Sequence, residues 1–171
     1  MAVQYADYFP GTAKVWKSSG GDYAITLASL ANNAGREGAK GDLNDATYGA
    51  PAFLDVFVTG SVGSAATNGL QIEYYFGEST SATAGTDNPG GLTGADASVS
   101  NPDEKKLQTF LIGGLILSNA LGTGVQKQAF TYFPTARYLI PLVVNKSAQT
   151  LGSTAADFAI TVTPYFARSG Y

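Results

Sequence analysis

"LQIEYYFG", residues 70–77, alternates more strictly than any other stretch of the chain. Leu70, Ile72, Tyr74 and Phe76 are expected on one face, with Gln71, Glu73 and Tyr75 on the other. That is the period-two pattern of a strand with one side in a core and one in water. Similar runs lie to either side. Upstream are "TAKVWK" (12–17), which stops at Ser18-Ser19-Gly20-Gly21, the β-rich "DYAITLASL" (22–30) and "PAFLDVFVTG" (51–60), apolar on both faces except at Asp55. Downstream are "LQTFLIGGLILS", "VQKQAFTYF", "RYLIPLVVN" and "DFAITVTPYF" (157–166), the last with Phe158, Ile160 and Val162 on one face. These are about eight strands joined by Gly- and Ser-rich turns. Pro141 lacks a ladder donor, which predicts an edge strand or a bulge there. Helical character is confined to "NPDEKKLQTFL", with Asn101 as N-cap, Pro102 at the first position and Asp103 and Glu104 in the first turn. It reads as a short helix or as one helical turn leading into a strand. The expected fold is an all-β, jelly-roll-like antiparallel β-sandwich. It forms a single domain (12–171) behind an N-terminal arm (1–11), with a long inserted loop (79–106).

That loop, "STSATAGTDNPGGLTGADASVSNPDEKK", has Leu92 and Val99 as its only large aliphatic side chains. Structureless loops beyond about 12–15 residues are uncommon and are usually functional or disordered. Asn88-Pro89-Gly90-Gly91 and Asn101-Pro102 punctuate it with turn signals, and no block of like charge favours disorder. It is therefore expected to be an arm that orders against a neighbouring subunit, with Asp87, Asn88, Pro89, Asn101 and Pro102 in the contact. The aromatics Tyr5, Tyr8 and Phe9 precede the first clear strand. They are the other candidate interface, with docking onto the chain's own body the equal alternative.

Composition narrows the chemistry. The 171 residues contain no Cys and no His, which excludes disulfides, thiolate metal sites, thiol nucleophiles and His-based triads. Charged residues are 13% of the chain and the net charge is −3. No basic stripe exists to neutralise phosphates, so nucleic acid is not an expected partner. No apolar run reaches the ~18 residues of a spanning helix, and "MAVQYADYFPG" lacks the pattern of a signal peptide. A protein without membrane association, made in a cytoplasm, is expected. Scarce charge also suggests a surface covered by other subunits.

Carboxylate chemistry has three candidates, Glu73, Glu78 and Asp55. Glu73 reads as a solvated residue on the polar face of its strand. Asp55, set in an apolar run, is expected at an edge position or in an ion pair to Arg137 or to another subunit rather than in a catalytic role. "DLNDATYG" (42–49) fails as a calcium loop, and "DNPGG" (87–91) reads as a tight turn. "GREGAKGD" (35–42) is Gly-rich but lacks the ending that cradles phosphate, and reads as a mobile loop. No cofactor, metal or catalytic residue is assigned.

"TAGTDNPGGLTGADAS", "LIGGLILSNALGTGVQKQAFTYFPTARYLIPLVVNKSAQTL" and "DFAITVTPYF" resemble a group of small virion proteins of tailed bacteriophages. The matching positions are Phe133, Pro134, Arg137, Tyr138, Val143, Val144, Asn145, Ser147, Thr163 and Pro164, after the "TAGTDNPGG" loop. The resemblance runs from about Arg36 to the C-terminus and implies a non-enzymatic capsid decoration, or cement, protein. Such a protein would be a homotrimer on the outer face of the major capsid protein. The rival expectations are a glycan- or receptor-binding module of a head or tail fibre and a small carboxylate-dependent enzyme.

Overall fold

The structure, a computed structural model, describes residues 6–169; Tyr5 lies outside them. Twelve strands form: β1 (Ala6–Pro10), β2 (Lys14–Lys17), β3 (Tyr23–Ala24), β4 (Gly35–Glu37), β5 (Gly41–Asp42), β6 (Phe53–Gly60), β7 (Gln71–Ser79), β8 (Ala97–Val99), β9 (Phe110–Ile116), β10 (Gln126–Tyr132), β11 (Tyr138–Lys146) and β12 (Ala159–Ser169), with a single-turn helix α1 (Pro102–Lys105). One sheet has the order β10-β6-β12-β2-β3, and β1 continues alongside β12. The other has the order β8-β4-β11-β7-β9, with β5 alongside β11. All pairings are antiparallel except β2 with β3. The chain is an all-β sandwich.

Between the sheets lie Leu54, Val56 and Val58 of β6, Ile72, Tyr74 and Phe76 of β7, and Ile160 and Val162 of β12, all essentially inaccessible. The strict alternation of "LQIEYYFG" is thus a true core signal for its apolar set. Trp16 is also fully buried, and its Nε1 donates to the Ala39 carbonyl at 2.7 Å. Gly41 lies against the faces of Trp16 and Tyr23, where a Cβ would overlap the indole ring. Gly41→Ala is expected to destabilise the fold by about 2 kcal/mol, the usual scale for overpacking a filled core. Equilibrium denaturation measures it, and an unchanged midpoint would contradict this packing.

Three expectations are corrected. Of "DYAITLASL", only Tyr23–Ala24 is strand; Ile25 and Leu27 enter the core from irregular backbone. "GREGAKGD" is not a mobile loop, since it supplies β4 and β5, both paired to β11. Pro141 sits in the middle of a central strand. Its missing donor falls at the gap between β4 and β5, where Gly38 N–H donates to the Pro141 carbonyl at 2.8 Å. Of the two readings of "NPDEKKLQTFL", one helical turn leading into a strand is the one formed: α1 ends at Lys105, a 3₁₀ turn follows and β9 begins at Phe110, with Asn101 starting the turn in a left-handed backbone (φ 54°) and without a side-chain cap bond.

The second sheet has a further layer. Residues Leu139 to Asn145 of β11 are buried on both faces, and Tyr75, expected on the polar side of β7, is also buried. Tyr75, Leu142 and Val144 form a small apolar cluster on the outer face, with Val99 packed onto it. The inserted segment thus covers the outside of the second sheet. It contributes few large side chains because the apolar surface it buries belongs to β7 and β11.

Candidate functional site

Three consecutive charged fasteners from the β4–β5 segment hold the inserted segment in place. Arg36 Nε donates to Asp96 Oδ1 at 2.6 Å, and Asp96 also accepts from the Thr26 N–H (3.1 Å) and hydroxyl (2.6 Å). Glu37, 3% exposed, accepts from the Thr93 N–H at 2.7 Å and from its hydroxyl at 2.9 Å. Lys40 enters a cage of four oxygens. Its Nζ donates to Ser79 Oγ (2.9 Å) and to the carbonyls of Ser81 (2.9 Å), Thr83 (2.8 Å) and Thr86 (2.9 Å). Burial pushes the Lys40 pKa below the usual lysine value, and the Asp87 charge pulls it back up. The Lys40 N–H also donates to the Gly94 carbonyl at 2.9 Å. Gly94 has φ +70° and lies against the Ala84 backbone, a position that admits no side chain. At the far end, Lys106 pairs with Glu73 (3.4 Å) and Asp103 (2.7 Å), and Lys146 reaches Asp103 (3.2 Å).

Of the predicted contact residues in this segment, Asn88, Pro89 and Pro102 are partly buried, whereas Asp87 and Asn101 are exposed. Asp87 (φ 55°) accepts from the Thr80 hydroxyl at 3.1 Å. The Asn88 side-chain amide donates to the carbonyls of Ala84 and Leu92. Pro89 opens a short 3₁₀ turn over Gly77, completing the tight turn read from "DNPGG". Pro102 packs against Gly35 beneath α1. Within the chain the segment is fastened by hydrogen bonds with Arg36, Glu37 and Lys40. At the N-terminus, Phe9 docks edge-on to Tyr48 (4.4 Å), while Tyr8 is exposed and meets Phe53 edge-on at 5.3 Å. Among the described residues no hydrogen bond or ring contact joins this pair to the inserted segment.

Glu73 and Glu78 have partners of their own. Glu73 is not simply solvated: it accepts from the Tyr75 hydroxyl at 2.9 Å and pairs with Lys106. Glu78 accepts from the Tyr132 hydroxyl (2.7 Å) and the Thr135 N–H (2.8 Å). Arg137 pairs with Asp42, Nη2 to Oδ2 at 2.7 Å, and not with Asp55. Asp55 is exposed on β6, a central strand, with Thr131 and Thr163 directly opposite on the flanking strands. Among the described residues no group of three or more acidic side chains is placed to hold a metal ion, and no helix is long and apolar enough to cross a membrane.

These partners set the pH range of the fold. The Arg137 hydrogen bond holds the Asp42 carboxyl below its usual value. For Asp96, burial pushes upward, but the bonds from Arg36 and Thr26 outweigh it and the net shift is down. Lowered carboxylate pKa values contribute stability above about pH 4 that is lost as pH falls through the folded-state values. Burial and the Glu73 bond push the Tyr75 hydroxyl up to about 12, and burial raises Tyr74 and Tyr132 as well. Raised phenol values give stability that is full below about pH 10 and is lost as pH climbs through the folded-state values. Denaturation midpoints are therefore expected to be flat between about pH 5 and pH 9, falling on either side. A step between pH 6 and 8 would contradict this, since the chain has no His.

Two exposed apolar surfaces were not read from the sequence. The first is a band along the free edge of β9: Leu107, Phe110, Leu111, Ile116, Leu121 and Val125, each between 39% and 81% exposed. The second is an aromatic patch on the outer face of the first sheet around Asp55. There Phe53 stacks on Tyr165 (4.7 Å), flanked by Tyr8 and by Phe133 (6.2 Å), with Phe57 beyond. A shallow groove of about 420 Å³ lined by Asp55, Phe57, Ala129, Thr131 and Thr163 runs beside it. The signal for the second surface was present in "FLDVFVTG", whose outward positions include Phe53 and Phe57. Comparison with known proteins adds nothing to this geometry: no family model matches the chain, and no curated protein is significantly similar to it.

Proposed function

We propose that this chain is a non-enzymatic structural protein of a tailed-bacteriophage particle, a capsid decoration or cement protein. It binds the outer face of the major capsid protein as a homotrimer and stabilises the head. The strand order supports the shape expected of such a protein. Taking β2, β4, β6, β7, β9, β10, β11 and β12 as first to eighth, the sheets run 6-3-8-1 and 2-7-4-5, the alternation of a jelly roll. The observation that carries the reading is the pair of separate exposed apolar surfaces on one small domain of low charge, because patches of this kind mark sites covered by other proteins. One serves neighbouring copies and the other the shell. Each added contact across a capsomer seam must be broken on disassembly, and many weak contacts act together.

Mass spectrometry of purified particles tests the reading. Decoration requires copies in the hundreds per head; a handful of copies would contradict it. The aromatic patch with Asp55, Thr131 and Thr163 favours one second reading, a glycan- or receptor-binding module of a head or tail fibre. Glycan-array binding lost on Asp55→Ala and Phe57→Ala would select that reading over decoration.

A further inference from the structure

Sheet edges are normally guarded against pairing by shortness, charge or proline. Here β3 has two residues and β8 three, and β10 carries Lys127. β9 is neither short nor charged nor broken by proline, and its one interruption is a bulge at Ile112. It is seven residues long, about 23 Å, and no charged residue occurs from Thr109 to Gln126. Exposed apolar side chains flank this strand at both ends: Leu107, Phe110 and Leu111 at its start, and Ile116, Leu121 and Val125 at and beyond its end.

We infer that this band is where copies of the same chain meet, the bands of all copies converging on the symmetry axis of the oligomer. This names the copy-to-copy surface of the proposed assembly but stands on the edge geometry, whatever particle the protein belongs to. Three arguments select a copy over a foreign partner. The band has no charge, so bringing two of them together meets no like-charge repulsion. It offers no charge pattern by which a different protein would be selected, and selection of that kind is the usual work of interface electrostatics. The area also fits. Six half-exposed large side chains of ~100 Å² each give roughly 600 Å² per copy, and the free strand edge brings this near the ~800 Å² per partner of a stable interface.

Sedimentation of the purified full-length chain tests the inference. The wild type is expected to be an oligomer, and Leu111→Glu and Leu107→Glu to be folded monomers with native circular dichroism and a cooperative thermal transition. Phe133→Glu, on the other surface, should leave the oligomer intact. A monomeric wild type, or band variants that stay oligomeric, would overturn the inference. Hydrogen exchange of the wild type across a dilution series needs no variant. Amides of Phe110–Ile116 should lose protection as the oligomer dissociates, and protection independent of concentration would overturn the inference too. An oligomer closed by the band that never attaches to heads would refute decoration and leave the inference standing. A monomer that coats heads would do the reverse.

Discussion

Lys40→Met is expected to lower stability by about 3 kcal/mol, the upper range for a charge-assisted hydrogen-bond donor. The methionine fills the same space but leaves the Ser79 hydroxyl, 2% exposed as a residue, and three carbonyls without the ammonium they surround. Only the protonated amine offers three donors to that cage. Chemical denaturation should record the loss, and hydrogen exchange should place it in residues 79–87, with the core strands unchanged. In Lys40→Ala the emptied cage presents the same oxygens to a free cation. Added ammonium should therefore recover part of the stability, and sodium chloride at equal ionic strength should not. A Lys40→Met protein as stable as wild type would show that the cage does not fasten the segment.

Asp96→Ala should cost a similar ~3 kcal/mol, because it removes the acceptor of three hydrogen bonds and leaves the Arg36 guanidinium, 22% exposed, without its partner. Its effect belongs to the later part of the inserted segment, around β8, whereas Lys40 acts on the earlier part. If the segment is one cooperative layer, either variant already releases much of what the other holds. The double variant Lys40→Met/Asp96→Ala then loses clearly less than the sum of the two. Strict additivity in denaturation would mean that the two parts fold onto the sheet independently.

The core was legible because its signal is local. Ile72, Tyr74 and Phe76, like Ile160 and Val162, alternate within one strand and need no knowledge of the partner. The run "YLIPLVV" also carried a readable message. A strand apolar at successive positions is buried on both faces, so something had to cover its outer side. That inference was available and joins the two puzzles, an over-apolar strand and an under-apolar loop, since each completes the other.

What stayed hidden depends on distant pairing. β4 is three residues, Gly35–Glu37, with no apolar alternation, and it is a strand only because β11 and β8 flank it. The charges of "REGAK" looked like a solvated loop. Their partners, Asp96, Thr93 and the carbonyls of 81–86, lie some forty to sixty positions away. Asp55 looked buried by its neighbours in sequence, but neighbours along a strand face opposite sides. Arg137 was the wrong partner for it because Asp42 on β5 sits beside the start of β11. The β9 band escaped notice for the opposite reason. "FLIGGLI" reads as core, and only the sheet order shows that β9 is an edge.

The domain fastens its long insertion to its own second sheet and still leaves large apolar side chains exposed. A cryo-EM map of the intact particle tests that most directly. The predicted result is density for this chain repeated over the outer shell, with the β9 band closed against other copies and the aromatic patch turned toward a neighbouring protein. A shell without the chain, or copies standing on it with Leu107, Leu111 and Ile116 open to solvent, would contradict the account.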